Sequence, residues 1–116
     1  MSPELTPFVE AAYNSVHTRA PWVTHDAFVK FVEQSEVHPV EVEGRAVGAI
    51  VVNGPEIHAC VDPEAHGLWY TKRAARLLSG VIEKNGYART SATTEEGVKF
   101  VRRLGFEPVG DHWEKG

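Results

Sequence analysis

The chain has 116 residues, 42% hydrophobic and 24% charged, which is typical of a single soluble globular domain spanning residues 1–116. Sixteen acidic against twelve basic side chains give a net charge of −4, and this disfavours nucleic-acid binding, which usually needs a basic excess. A single cysteine, Cys60, excludes an internal disulfide and a cysteine-based zinc cluster, so no metal site is expected. The apolar runs are too short to cross a membrane and no secretory signal is visible, so we expect a cytoplasmic protein.

The first third of the chain predicts two helices. Thr6 followed by Pro7 is typical of a helix cap and first turn, and apolar residues then keep helical spacing to about residue 17. Thr24 can cap a second helix, which carries Phe28 on its apolar face.

From about residue 37 the hydrophobic period changes to two, as in strands. A β-branched run covers residues 47–52, and a further strand is expected over residues 56–61. Glu43-Gly44 predicts one turn, and Asn53-Gly54 is among the strongest short hairpin signals. The connections are too short for parallel crossovers, so these strands are predicted to form an antiparallel meander.

The second half alternates helices and strands. A helix is expected over residues 68–84, stopped by Asn85-Gly86, and a strand over residues 87–93. Thr93 and Glu96 predict a capping box that opens a fourth helix, and residues 106–113 predict one last strand. The prediction is an α+β domain with a central, mostly antiparallel twisted sheet flanked by about four helices.

Two segments resemble parts of the GNAT acetyltransferase superfamily. Residues 57–67 resemble the family's fourth strand running into its pyrophosphate loop, and residues 98–107, with Leu104-Gly105-Phe106, resemble its fourth helix and the turn after it. The order of the predicted elements is also similar. The resemblance implies a divergent small member shortened at both ends, since no counterpart of the family's first strand is predicted and only ten residues follow Phe106, too few for a full final hairpin.

The resemblance implies acetyl-CoA as co-substrate, with the pantetheine arm on strand backbone near Cys60 and Val61. The family's loop pattern falls on residues 66–71, and a helix N-terminus there would favour the pyrophosphate. The expected cofactor-binding residues of this loop and helix start are His66, Gly67, Leu68, Trp69, Tyr70, Thr71, Lys72 and Arg73.

Three of these loop residues have a second interpretation. Trp69 stands where glycine would let backbone approach phosphate closely, and it resembles loops of phage-encoded members; a core aromatic is the alternative. Lys72 and Arg73 oppose the helix dipole, a cost that a bound anion would offset. The alternative is two solvated side chains.

Acetyl transfer to an amine needs a base and benefits from a proton donor. Period two puts Glu56, His58 and Cys60 on one face of a strand. The family's base often lies on this strand, so Glu56 and His58 are the candidates, with a purely structural role as the alternative. Cys60 is interpreted as a small buried residue. Val101 replaces the family's donor tyrosine, and Thr94 stands where an asparagine is common and would do part of its work.

Three functions remain open. The first is an acetyl-CoA-dependent N-acetyltransferase that acts on an amine of a protein or small molecule. Its acceptor side would be open, or closed by a second subunit of a homodimer, and Trp22, Trp113 and His112 could line it. The missing tyrosine and filled glycine positions favour the second, a catalytically silent GNAT-like protein-binding module such as a phage accessory or host-interaction factor. The third is an unrelated small α+β binding domain.

Overall fold

The computed structural model describes residues 3–65 and 70–116. The elements, in chain order, are α1 (Thr6–Arg19), α2 (His25–Glu33), β1 (Glu36–Val42), β2 (Arg45–Asn53), β3 (Glu56–Val61), α3 (Lys72–Asn85), β4 (Ala88–Thr90), α4 (Glu95–Arg103), β5 (Glu107–Val109) and β6 (His112–Lys115). Short 3₁₀ turns cover Pro3–Leu5 and Pro63–Ala65. In this part of the chain no helix has both the length and the apolar character needed to cross a bilayer.

The strands form one open sheet in the order β1-β2-β3-β4-β6-β5. Neighbouring strands are antiparallel except β3 and β4, which run parallel because α3 connects them. The structure confirms the α+β class, the four helices and the mostly antiparallel sheet predicted from the sequence. It also confirms the meander of β1, β2 and β3, whose first turn places Glu43 and Gly44 at positive φ.

The sheet separates two hydrophobic cores. On one face α1 and α2 pack Val9 and Phe28 against Val51 of β2. On the other face α3 and α4 pack Leu78 and Val101 against Ile50 of the same strand. Side chains alternate between faces along a strand, so β2, buried over six consecutive residues, contributes to both cores.

The C-terminal segment differs from its prediction. Residues 106–113 were expected to form a single strand, with no room after Phe106 for a complete hairpin. Instead β5 and β6 pair as an antiparallel hairpin, and β6 lies between β4 and β5. The expectation is wrong because a two-residue turn with Gly110 at a φ of 61° reverses the chain in very little length.

The helix starts agree with the sequence in part. Thr24 caps α2 as predicted, since its side chain accepts a hydrogen bond from the Ala27 N–H at 3.2 Å. Thr6 is not the cap of α1. The residue before that helix is Leu5, which makes no side-chain cap bond, because the preceding 3₁₀ turn runs directly into the helix.

Candidate functional site

The parallel strands β3 and β4 pair at one position within the described residues. Glu56 lies opposite Arg89, and the Arg89 N–H donates to the Pro55 carbonyl at 2.8 Å. Both partners lie at the N-terminal end of their strands. Beyond this position β4 continues to pair with β6, whereas β3 and β4 separate.

A cavity of about 540 Å³ occupies the gap between the separated strands. Its volume lies within the range of small-molecule binding sites. The apolar lining includes Ile57, Ala59 and Val61 of β3, Ala74 and Leu78 of α3, and Phe100 of α4. The polar lining includes Thr18 and Arg19 of α1 and Thr90, Ser91, Thr93, Thr94, Glu95 and Glu96 around the start of α4. Residues from both sides of the sheet thus border one space.

The backbone of β3 presents hydrogen-bonding groups to this cavity. The Asp62 N–H donates to the Val47 carbonyl at 2.9 Å, and partners alternate along an antiparallel ladder. The peptide groups of Cys60 and His58 therefore face β2, and those of Ala59 face the gap. Ala59 lies past the last paired position, so its N–H and C=O have no strand partner in the described chain.

The sequence predicts backbone contact near Cys60 and Val61. Cys60 lies opposite Ala49 of β2, so its peptide groups face that strand. Val61 faces the same side as Ala59, but its carbonyl already accepts a hydrogen bond from the buried Ser15 hydroxyl at 2.8 Å. Ala59 therefore offers both an N–H and a C=O to an extended, amide-bearing ligand, and Val61 offers its N–H.

The side chain of Cys60 is buried among residues of α1 and α2, with 5% of the residue exposed. Burial raises the pKa of its thiol to about 11, and the Arg19 guanidinium opposes this effect only in part. The thiol is therefore neutral at physiological pH. This state does not suit a nucleophile.

Two helix N-termini border the cavity, and their charges differ. At α3, Thr71 caps the helix by accepting from the Ala74 N–H at 3.4 Å, and the first turn contains Lys72 and Arg73 but no acid. At α4, the first turn contains two glutamates. An anion is therefore stabilised at the start of α3 and repelled at the start of α4.

The start of α4 differs from its prediction by one residue. The cap is Thr94, whose side-chain oxygen accepts from the Gly97 N–H at 3.0 Å, and not Thr93. Both threonines border the cavity. Because the Thr94 oxygen acts as the acceptor, its own O–H remains able to donate to a ligand.

The expected cofactor loop is described in part. His66, Gly67, Leu68 and Trp69 lie outside the described residues. Tyr70 borders the cavity, with its ring edge-on to Phe100 at 5.6 Å between centroids. Lys72 and Arg73 are exposed and do not border the cavity. Arg73 borders a second groove, between α3 and the strands β1 and β2.

The two proposed bases lie near the paired end of β3 and β4 and do not border the cavity. The Glu56 Oε1 is 3.7 Å from the Arg89 Nε. The His58 ring lies edge-on to Phe31 of α2, at 6.0 Å between centroids. Burial lowers the pKa of His58, Glu56 raises it in part, and Arg89 and Arg19 lower it further. The imidazole is therefore neutral at pH 7 and able to accept a proton.

The residues expected on an acceptor surface are not brought together at the cavity. Trp22 is 75% exposed in the loop between α1 and α2. Trp113 is half-buried on β6, with the Arg102 guanidinium 5.4 Å from its ring centroid. His112 makes hydrogen bonds with Glu114 and Asp111, and these raise its pKa.

Sequence reasoning missed a polar pair of α1 that borders the site. Ser15, 3% exposed, accepts from the Arg19 Nη2 at 3.1 Å, and its carbonyl accepts from the Arg19 Nε at 3.3 Å. The spacing of four residues on a helix is a local signal that could have linked the two side chains. The hydrogen bond from Ser15 to Val61, 46 residues away, has no local signature.

The described residues contain no group of three or more histidine, cysteine or carboxylate side chains placed to hold a metal ion. Comparison with models of known protein families and with curated proteins gives no match to this chain. The chemistry of the cavity is therefore the basis on which a function can be assigned.

Proposed function

We propose that this protein is a GNAT-type N-acyltransferase that moves an acetyl group from acetyl-CoA to an amine of a protein or small-molecule acceptor. One observation carries the proposal: parallel β3 and β4 pair only at Glu56 and Arg89 within the described chain, then separate around a cavity. The order of the elements supports the resemblance stated above, with the family's first strand absent from the described sheet.

The residues around the gap fit the parts of acetyl-CoA. The pantetheine arm is narrow and carries two amides, which match an apolar gap with the free peptide groups of Ala59 at its wall. The pyrophosphate matches the N-terminus of α3, where Lys72 and Arg73 replace the usual acids of a first turn. Glu95 and Glu96 repel phosphate from the start of α4, so the pyrophosphate end of the cofactor would lie at α3. The thioester, at the other end of the pantetheine arm, would then lie in the gap.

The reaction requires removal of a proton from the acceptor nitrogen and stabilisation of the negative charge on the departing sulfur. The acceptor nitrogen attacks the thioester carbonyl, a C–N bond forms, the C–S bond breaks, and the electron pair leaves with sulfur as thiolate. The nitrogen loses a proton to a base, for which the neutral His58 and the carboxylate of Glu56 remain the candidates. The Thr94 O–H, at the cavity wall, could donate a hydrogen bond to the departing sulfur.

Calorimetric titration with acetyl-CoA tests the cofactor site, with CoA and ATP as controls. We expect micromolar binding of acetyl-CoA and CoA and much weaker binding of ATP, which lacks the arm. Ala59→Leu would fill the gap and should abolish binding. Ala46→Leu is the matched control, because Ala46 lies on β2 opposite Glu41 and does not border the cavity.

A catalytically silent partner-binding module is the second candidate. The positions of the proposed bases favour it, because Glu56 is paired with Arg89 and His58 packs against Phe31. Val101, where the family has a tyrosine, is buried in the core. Absence of any acetyl-CoA binding at millimolar concentration would contradict the acyltransferase and favour this alternative.

A further inference from the structure

Arg19 is the one cationic residue among the described residues that border the cavity. It ends α1 and is half-buried. It takes part in no ion pair with a carboxylate of the described chain. A half-buried guanidinium at the wall of a largely apolar space stabilises an anion that binds beside it, because its charge is only partly solvated.

The hydrogen bonds of Arg19 leave one side of its guanidinium available. The Nε–H and one Nη2–H donate to the carbonyl and hydroxyl oxygens of Ser15. This pair of bonds fixes the side chain, because Ser15 is itself held by its bond to the Val61 carbonyl. Three N–H groups remain, and one on Nη1 together with the one on Nη2 forms a second fork, which matches the two oxygens of a carboxylate.

The charges near Arg19 do not neutralise it. Arg19 is bonded to Ser15, which is bonded to Val61 of β3, so its positive charge lies close to that strand. The guanidinium accordingly lowers the pKa values of both His58 and Cys60. Both of those groups are neutral at pH 7, and the nearby Glu56 is paired with Arg89. Glu95 and Glu96, the acids that border the cavity, lie at the start of α4 and make no ion pair with Arg19.

We propose that Arg19 binds a carboxylate of the substrate through its Nη1–Nη2 fork. This inference rests on the proposed acyltransferase function, and the carboxylate has two chemical sources. It is either the distal carboxylate of a dicarboxylic acyl group on CoA, such as succinyl, or the carboxylate of an amino-acid acceptor. The carboxylate itself undergoes no reaction, so Arg19 acts as a specificity-determining residue.

Two arms of one experiment separate the sources. The first compares the affinities of succinyl-CoA and acetyl-CoA by calorimetry. The second compares kcat/KM for amino acids with that for their carboxamides, with acetyl-CoA as donor. In one arm the wild-type protein should prefer the ligand with the carboxylate by about tenfold or more. This ratio corresponds to the free energy of a charge-assisted hydrogen bond. Arg19→Met should remove that preference and leave the affinity for CoA unchanged.

Arg103→Met is the matched control, because Arg103 is the last residue of α4 as Arg19 is of α1. It is exposed and does not border the cavity, so its variant should keep the full preference. Arg19→Lys keeps the charge but loses the fork, and it should retain only part of the preference. Unchanged CoA affinity in the Arg19 variants reports an intact fold.

The outcomes distinguish this inference from the function on which it rests. If CoA binds neither the wild-type protein nor any variant, the proposed acyltransferase is wrong. If CoA binds but neither arm shows a preference for the carboxylate, Arg19 has no such role and the acyltransferase proposal stands. An equal preference in the wild-type protein and in Arg19→Met would also overturn the inference.

Discussion

The Glu56 Oε1 and the Arg89 Nε lie 3.7 Å apart, at the position where the parallel strands β3 and β4 are hydrogen-bonded. Their side chains thus join the two strands at the end from which the gap opens. Each side chain is more than a third exposed, so solvent screens the pair and its contribution to stability is at most about 1 kcal/mol. The proposed role of Glu56 as a base can therefore be tested without unfolding the protein.

Glu56→Gln and Arg89→Gln should each change the free energy of unfolding by less than about 1 kcal/mol. If Glu56 is the base, Glu56→Gln should lower kcat and leave acetyl-CoA affinity unchanged, because an amide does not accept the proton. Denaturant melts and steady-state assays with a panel of amines check both expectations. Equal kcat values for wild type and Glu56→Gln would remove Glu56 as the base.

Gly48 of β2 lies opposite Val61 of β3. An added Cβ would lie 2.0 Å from the Cys60 carbonyl oxygen, and the residue has a φ of 149°, which disfavours L side chains. Gly48→Ala should therefore destabilise the fold by about 1–3 kcal/mol or more. In contrast, Gly80 lies on the exposed face of α3, and an added Cβ would have no neighbour within 4 Å. Gly80→Ala should therefore stabilise the fold by about 0.5–1 kcal/mol. Urea denaturation of both variants tests this opposite sign.

The parts of the fold that were predicted correctly depend on local signals. The turn at Glu43-Gly44, the apolar run of β2 and the turn signal at Asn53-Gly54 specify the meander. The second turn lies one residue later than its signal, at residues 54–55, because Asn53 pairs with Glu56. The left-handed Gly86, at a φ of 85°, ends α3 one residue after the predicted end. A final hairpin with strands of three and four residues carries too few residues for a period to be recognised.

The candidate site was less predictable because its contacts are long-range or ambiguous. Thr93 and Thr94 are adjacent, and Glu96, three residues after Thr93, favours a capping box at Thr93. The structure uses Thr94 instead, because a cap needs only the backbone N–H of Gly97. The contact of Ser15 with Val61 of β3, and with it the place of Arg19, depends on how α1 packs across the sheet. No local pattern contains that information.

Thr94 has a structural role as a cap and a proposed role at the cavity, and two variants separate them. Thr94→Ala loses the bond from the Gly97 N–H and should cost about 1 kcal/mol of stability. Thr94→Asp keeps a capping oxygen and should be nearly as stable as wild type, but its carboxylate has no proton to donate. If the hydroxyl assists the leaving sulfur, both variants should lose turnover to a similar extent. Full activity in Thr94→Asp would limit Thr94 to capping.

Cys60 should make stability fall in alkaline solution. Its pKa rises from 9.0 to about 11 on folding, so the unfolded chain loses the thiol proton first and is favoured as pH rises through this window. The total effect is about 2–3 kcal/mol, from the size of the shift. Denaturant melts between about pH 8 and 10 should show a steeper decline for wild type than for Cys60→Ala. Identical slopes would contradict the buried, neutral thiol.

His58 and His112 should titrate on opposite sides of the ordinary pKa of 6.5. Burial lowers the pKa of His58, so the unfolded chain binds its proton more readily and the stability it contributes is lost as pH falls below 6.5. Hydrogen bonds from the His112 ring to Glu114 and Asp111 raise the pKa of His112, so its contribution is complete below 6.5 and is lost as pH rises through the folded pKa.

NMR titration of the imidazole C–H resonances measures the two folded pKa values directly, with His58→Gln and His112→Gln to assign the signals. We expect the His58 midpoint below 6.5 and the His112 midpoint above it. Bound acetyl-CoA together with an amine acceptor should move the His58 midpoint if that ring faces the reacting nitrogen. A His58 midpoint above 6.5 would mean that burial does not dominate the pKa of this ring, and it would contradict the lowered pKa of the half-buried imidazole.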